Sequence, residues 1–79
     1  MFYAYVVRSI STGYLYKGHC QDLEKRLNQH NTGMTKSNRK YAPYEIVYFE
    51  VFKTRREAVA REKYFKSAAG RRYLKLKIA

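Results

Sequence analysis

Glu62 stands at a position where an apolar residue would be expected. Residues 58–67, AVAREKYFKS, have the pattern of an amphipathic helix wound at 100° per residue. The apolar Ala58, Phe65 and Ala69 then fall on one side, and Glu62 lies between them, near the centre of the apolar stripe. The chain has only 6 Asp and Glu against 17 Lys and Arg. A carboxylate turned towards the core therefore calls for a chemical reason.

Four further polar side chains are predicted to face or border the core, namely Tyr5, Tyr16, Arg26 and His30. The two tyrosines belong to aromatic runs that alternate like strands, and a buried tyrosine hydroxyl needs a hydrogen-bond partner. The arginine and the histidine sit beside Leu23 at the margin of a helix whose apolar face is completed by Leu27. Taken one at a time, each has an ordinary structural explanation: an aromatic sheet, an arginine lying along an apolar surface, and a hydrogen-bonded histidine.

A common pocket would explain all five side chains together. One carboxylate can hold a divalent cation that keeps most of its waters, as Mg²⁺ prefers. An arginine can bind a phosphate through two parallel hydrogen bonds, and a tyrosine beside a metal and an arginine can become acidic enough to take a proton from water. Such a set suits phosphodiester cleavage with a single metal. In this interpretation Glu62 has no partner in the metal-free protein; in the competing one it is a scaffold residue, ion-paired with a neighbour such as Arg26.

The elements that would position these side chains are predicted from periodicity and capping residues. Three segments have strand patterns, at residues 2–8, 13–19 and 44–52. Asp22 can cap a helix that runs to about residue 31, and Thr54 opens a capping box for a second helix, which Gly70 is expected to end. The tail beyond this glycine suits either a strand or a helix. The predicted fold class is α/β of the α+β type, a single domain over residues 1–79 in the order β-β-α-β-α plus a short C-terminal element.

The charge of the chain indicates a polyanionic partner. A net charge of +11 and a pI near 10 favour nucleic acid. A membrane is disfavoured, because no basic amphipathic helix with an open apolar face stands out and no apolar run approaches the roughly 18 residues of a span. A single cysteine, Cys20, excludes an internal disulfide, and the N-terminus lacks the features of a signal peptide. The expected compartment is the cytoplasm.

Four segments have telling residues and spacing. AYVV is followed by YKG, with Tyr5 and Tyr16 eleven residues apart; in GHCQDLEKRLNQH, Arg26 lies ten residues after Tyr16; and TRREAVAREKYFKS carries Glu62. Together they cover almost the whole chain and, in this order, resemble the GIY-YIG nuclease superfamily, and its small single-domain bacterial members above all. AYVV and YKG resemble its two half-motifs, although Tyr3 and Ala4 replace the glycine and isoleucine of the first. The other two segments resemble the family's next segment, with its arginine, and the later helix whose glutamate binds the metal.

The resemblance implies a three-stranded, mostly antiparallel sheet flanked by helices. It also implies an endonuclease that hydrolyses phosphodiester bonds of DNA, in DNA repair, recombination or the processing of branched and flap structures. Either tyrosine could be the general base; Tyr16 is favoured, with Tyr5 as its partner near the scissile phosphate. Arg26 would stabilise the phosphorane charge, and His30 would assist at the pocket margin. Glu62 would bind Mg²⁺ or Mn²⁺.

Further cations lie in the long connection before the third strand. Lys36, Arg39 and Lys40 are candidates for contacts with backbone phosphates, although such a run also suits a plain solvated surface. DNA is favoured over RNA as the partner. The alternative function is a non-catalytic nucleic-acid-binding module on the same fold, and the intact set of tyrosines, arginine and glutamate favours the enzyme.

Overall fold

The computed structural model describes residues 1–32 and 41–78, and it confirms the α+β class. In chain order the elements are β1 (Phe2–Ser9), β2 (Leu15–Cys20), α1 (Leu23–Asn31), β3 (Tyr44–Phe52), α2 (Arg55–Lys66) and α3 (Ala68–Ile78). The strands form one antiparallel sheet in the order β2-β1-β3. The tail is thus a helix, one of its two predicted states. Within the described residues, no helix is both long and apolar enough to cross a membrane.

The central strand β1 defines the two faces of the sheet. Tyr5 and Val7 point to one face and Ala4 and Val6 to the other, because side chains alternate along a strand. All four are at most 1% exposed. Among the described strands, β2 pairs only with β1 and therefore lies at an edge of the sheet. Groups on opposite faces of the sheet can approach each other around this edge.

Helices cover both faces. On the face of Tyr5, α1 packs its Leu23 and Leu27 against the sheet. On the other face, α2 and α3 contribute Phe65 and Leu74 to a second core. The predicted site residues are therefore divided: the tyrosines and the residues of α1 lie on one face, and the helix that carries Glu62 lies on the other.

The start of α2 agrees with the sequence. Thr54 accepts a hydrogen bond from the backbone N–H of Glu57 at 3.2 Å, and the Glu57 carboxylate accepts one from the backbone N–H of Thr54, also at 3.2 Å. These reciprocal bonds form the predicted capping box. They fix where α2 begins and hence the register that turns Glu62 towards the sheet.

The end of α2 differs from the prediction. The sequence predicts that Gly70 ends this helix, but α2 ends at Lys66, with Ser67 as its cap. Gly70 lies inside α3, where an added Cβ would fall 1.7 Å from the carbonyl oxygen of Tyr64. Glycine is required because the backbones of α2 and α3 meet too closely for any side chain. A glycine near a helix end can serve as a C-cap or allow a close approach, and the sequence does not distinguish the two.

Candidate active site

The buried hydroxyl of Tyr5 lies at the centre of a hydrogen-bonded cluster on the α1 face. Its oxygen is 2.9 Å from Nε2 of His30, and Nε of Arg26 donates to it over 3.1 Å. Arg26 also donates to the side-chain oxygen of Gln29 over 3.1 Å. Residues four apart share one side of a helix, so α1 presents Arg26 and His30 to the same point of the sheet. The structure thus brings three predicted site residues together.

The Tyr5 hydroxyl has a partner on each side. A guanidinium can only donate hydrogen bonds, so the Tyr5 oxygen accepts from Arg26, whereas the direction of its bond with His30 is set by the tautomer of the imidazole. Burial raises the pKa of Tyr5 to about 12, against the opposing effect of Arg26. At neutral pH this hydroxyl is therefore protonated, and it links Arg26 to His30 rather than acting as a base.

We expect Tyr5 to make the protein less stable at alkaline pH. In the unfolded chain a tyrosine loses its proton near pH 10, whereas the folded pKa is about 12. Between these values the folded chain binds more protons than the unfolded chain, so the free energy of unfolding falls as pH rises, by up to about 2 kcal/mol. Urea unfolding at about pH 9 and about pH 11 should show a smaller fall in Tyr5→Phe than in the wild type. Equal falls in the two proteins would contradict this assignment.

Tyr16 lies on the same face as Tyr5 and is more exposed. Its ring meets the ring of His30 edge to face, with 4.9 Å between the centroids. The pKa of Arg26 is raised, chiefly because Tyr5 accepts its hydrogen bond and to a smaller extent by Tyr16. The guanidinium therefore lies close to both hydroxyls, and Tyr16 is the tyrosine of the pair with access to solvent.

Glu62 approaches from the opposite face, and both of its oxygens have partners. Oε1 lies 2.6 Å from Nδ1 of His19, and Lys66 donates from Nζ to Oε2 over 2.7 Å. The Glu62 side chain is 17% exposed. Burial would raise its pKa, but the hydrogen bonds and charges of Lys66 and His19 outweigh burial and hold the pKa below the ordinary value. The carboxylate is therefore ionised at neutral pH.

The expectation that Glu62 has no partner in the metal-free protein is thereby wrong. An ion pair with a neighbour is present, as the competing interpretation expected, but the partners are His19 and Lys66 rather than Arg26, which bonds to Tyr5 and Gln29 instead. A helical wheel shows which way Glu62 faces, but it does not show which strand residue lies opposite. Lys66 is half exposed on a flexible stem, so it can move away from Glu62 without disturbing the fold.

His19 connects the two halves of the site around the edge of β2. It faces α2, because it alternates with Gly18, which faces α1 opposite Tyr5. His19 and Arg26 also line one cavity of about 490 Å³ beside the start of α1. The imidazole that touches Glu62 thus borders the same space as the guanidinium. Sequence reasoning missed His19, although strand alternation already placed it on the face that receives α2.

Three predicted residues cannot be placed in this site. Lys36, Arg39 and Lys40 fall in 33–40, outside the described residues. Their contacts with phosphates stay a prediction.

Comparison with known proteins identifies the family. The model of the GIY-YIG catalytic domain matches residues 1–75 of the chain. The chain belongs to the GIY-YIG family. UPF0213 protein SSP2268 of Staphylococcus saprophyticus is 39% identical over 75 residues, which cover 94% of this chain and 90% of that relative.

Other relatives agree over similar lengths. UPF0213 protein CPE1444 of Clostridium perfringens is 39% identical over 77 residues, 96% of this chain and 82% of the relative. UPF0213 protein HQ_3675A of Haloquadratum walsbyi is 41% identical over 66 residues, 82% of this chain and 73% of the relative. No solved structure matches the chain significantly. Membership of the GIY-YIG family confirms the resemblance and supports a nuclease-type function.

The glycine of the second GIY-YIG half-motif has a steric role here. Gly18 pairs with Tyr5 across the sheet, and a Cβ added to it would lie 2.6 Å from the Tyr5 hydroxyl oxygen and 2.7 Å from Cζ. These distances are far below van der Waals contact, so only glycine leaves room for the tyrosine ring. The close approach of the Tyr5 ring therefore explains the glycine at this position.

We expect Gly18→Ala to displace Tyr5 and disrupt its bond to Arg26. Overpacking of this kind should lower the free energy of unfolding by about 1–3 kcal/mol. In a double-mutant cycle with Tyr5→Phe, which removes the nearest clashing atom, the two effects should not add. Chemical denaturation of the four proteins measures this coupling, and additive effects would show that the clash is not with Tyr5.

Among the five predicted site residues, Glu62 is the single carboxylate, so a divalent metal would find one protein ligand there rather than a complete cage. No group of three or more His, Cys, Asp and Glu side chains is placed to hold a metal ion in 1–32 and 41–78. Mg²⁺ commonly binds through one or two carboxylates and completes its shell with waters and substrate phosphates. The ionised Glu62 fits a metal bound in that way, and its partner His19 lines the cavity that Arg26 also lines.

Proposed function

We propose that this GIY-YIG protein is a metal-dependent endonuclease that hydrolyses phosphodiester bonds of DNA. One observation supports this above all: the guanidinium of Arg26 and the His19 imidazole, which holds Glu62, border one cavity at the edge of β2. A phosphate in that cavity would have a cation on one side and an ionised carboxylate, with its metal, on the other. Mg²⁺ or Mn²⁺ bound by Glu62 would supply Lewis acidity at the phosphate oxygens.

The residues of the α1 face would bind and orient the phosphate. Arg26 is held by Tyr5 and Gln29, so its two outer nitrogens are directed with little freedom. A fixed guanidinium suits the charge that develops on a phosphorane, because it requires no reorganisation as the charge grows. His30 is fully buried and fixes the Tyr5 hydroxyl, so we assign it a positioning role.

Tyr16 would take the proton from the attacking water. Of the two tyrosines it is the one reached by solvent, whereas burial raises the pKa of Tyr5 to about 12, so Tyr5 keeps its proton at neutral pH. Arg26 lies near both and would stabilise a phenolate at Tyr16. Transfer of the proton to Tyr16 would leave a hydroxide for in-line attack on the phosphorus.

DNA is the proposed substrate, in repair, recombination or the processing of branched structures. The net charge of +11 supports a polyanion. Lys36, Arg39 and Lys40 are proposed to extend the contacts along the backbone.

Incubation of the purified protein with supercoiled plasmid and with a labelled branched DNA tests this function. With Mg²⁺ or Mn²⁺ we expect nicks and discrete strand cuts, and with EDTA none. Binding of the same DNA without cleavage under any metal condition would instead support the non-catalytic binding module.

A further inference from the structure

A second cavity of about 500 Å³ lies between the β1–β2 hairpin and α3, outside the site described above. We call it the α3 groove. Its apolar lining comes from Leu15, Leu74 and Ile78, and its cationic lining includes Lys17, Arg71 and Lys75. None of these residues contributes to the proposed chemistry.

The cations of the α3 groove repel one another. The pKa of Lys17 is lowered, first by burial and then by the charges of Arg71 and Lys66. In the described part of the chain, no carboxylate lies within salt-bridge distance of Lys17, Arg71 or Lys75. Like charges gathered without a counter-ion create a strong local potential for an anion. The groove is therefore built to receive a negatively charged ligand.

The α3 groove continues from the proposed metal ligand. Leu15, Lys17 and His19 alternate along β2 and so form one row on the face of α2 and α3. Successive members of such a row are about 7 Å apart. His19 contacts Glu62, and the next residue in the row, Lys17, lines the groove. An extended polyanion leaving Glu62 along β2 would enter the groove directly.

The combination of apolar and cationic surface selects the type of ligand. A duplex presents phosphates to a protein but keeps its base faces stacked inside, so it gains nothing from an apolar lining. A single strand offers both phosphates and an unstacked base. Leu15 and Ile78, which are only partly buried, supply an apolar contact for such a base between the cations.

We propose that the α3 groove binds a single-stranded segment of the nucleic acid adjoining the cleaved phosphate. This inference rests on the proposed nuclease function for its geometry. Phosphates of the segment contact Lys17, Arg71 and Lys75, and one base lies against the apolar lining. The protein then prefers DNA with an unpaired tail next to the junction over a fully paired duplex.

Binding in EDTA tests the groove without requiring cleavage. Fluorescence anisotropy would compare a blunt duplex with the same duplex carrying a single-stranded tail. The groove variant is Lys17→Gln with Arg71→Gln, and the control is Lys53→Gln with Arg56→Gln, two exposed cations outside the groove with the same change of charge. The groove variant should fold normally, because it removes two cations that repel each other, and melting curves check this.

The wild type and the control should bind the tailed DNA more tightly than the blunt DNA, by about tenfold if one base is accommodated. The groove variant should lose this preference. If the groove variant keeps the preference, or loses affinity for both DNAs by the same factor as the control, the proposal is overturned. If the groove variant loses more affinity than the control variant for both DNAs, the groove binds duplex DNA, and this result would also overturn the proposal. If the wild type does not cleave DNA, the proposed function is refuted. The binding comparison would still show whether the groove prefers a single-stranded tail.

Discussion

Glu62→Gln should abolish cleavage while leaving the protein able to bind DNA. The substitution keeps the shape of the side chain but removes the charge that would hold a divalent cation. Loss of several kcal/mol of transition-state stabilisation corresponds to a rate reduction on the order of a thousandfold. DNA binding should persist or tighten, because one repulsive carboxylate is removed from a basic surface. Cleavage rates and anisotropy on one preparation measure both effects.

The same variant should melt slightly lower than the wild type in the absence of metal. Glu62 bonds to both His19 and Lys66, so removing its charge weakens two contacts. An exposed pair of lysine and glutamate four residues apart is worth about 0.3–0.5 kcal/mol, and the more buried contact with His19 adds to this. This lower melting temperature is the opposite of the higher one expected if Glu62 were a buried carboxylate without a partner.

Glu50 provides a matched control on the same side of the sheet. It accepts two hydrogen bonds from Arg61 and further bonds from Tyr48 and Tyr73. Glu50→Gln should therefore lower the free energy of unfolding by about 1–3 kcal/mol, more than Glu62→Gln does. Below its melting temperature it should still cleave DNA. A Glu62→Gln protein that behaves like Glu50→Gln in the cleavage assay would make Glu62 a scaffold residue.

Arg26→Ala should reduce cleavage on the order of a hundred- to a thousandfold, as removal of a fixed charge-stabilising donor does elsewhere. It should also cost about 1 kcal/mol of stability, because the buried Tyr5 hydroxyl loses one of its hydrogen-bond partners. Single-turnover cleavage and urea unfolding measure the two losses.

Arg26→Lys separates charge from geometry. Lysine keeps the positive charge but has no planar pair of donors that could bond to Tyr5 and a phosphate together. We expect DNA binding near that of the wild type and poor recovery of cleavage. Cleavage by Arg26→Ala at close to the wild-type rate would show that Arg26 does not take part in the reaction.

Local patterns in the sequence predicted most of the fold, since strands, caps and helices depend on neighbours in the chain. The capping box at Thr54 and the alternation in β1 are examples, and both agree with the structure. Gly70 is the exception, because its reason is a contact between α2 and α3 that local patterns do not contain. Contacts between elements are set by the packed fold.

The candidate site shows the same limit. The cluster of Tyr5, Arg26 and His30 could be predicted from local patterns, because it depends only on the face of a strand and the side of a helix. The structure brings these three residues together. The environment of Glu62 depended on which residue of β2 meets α2. Alternation along β2 places His19 on the face that receives α2, but no local pattern pairs it with Glu62, 43 positions further along the chain.

The position of Glu62 also shows how an edge strand can build a site. Glu62 and Arg26 come from helices on opposite faces of the sheet, which would separate them at a central strand. At β2 the two faces meet, and His19 reaches both the Glu62 carboxylate and the cavity of Arg26. We infer that the outer side of β2 is where the nucleic-acid backbone lies.

Single-turnover cleavage of one labelled branched DNA in Mg²⁺ is the most direct test of whether the protein is a nuclease that depends on Glu62. Wild type, Glu62→Gln and Glu50→Gln would be compared below their melting temperatures, with DNA binding measured alongside. We expect the wild type and Glu50→Gln to cut this DNA. We expect Glu62→Gln to bind the DNA without cutting it. Equal cleavage by all three proteins, or binding without cleavage by the wild type, would contradict these expectations.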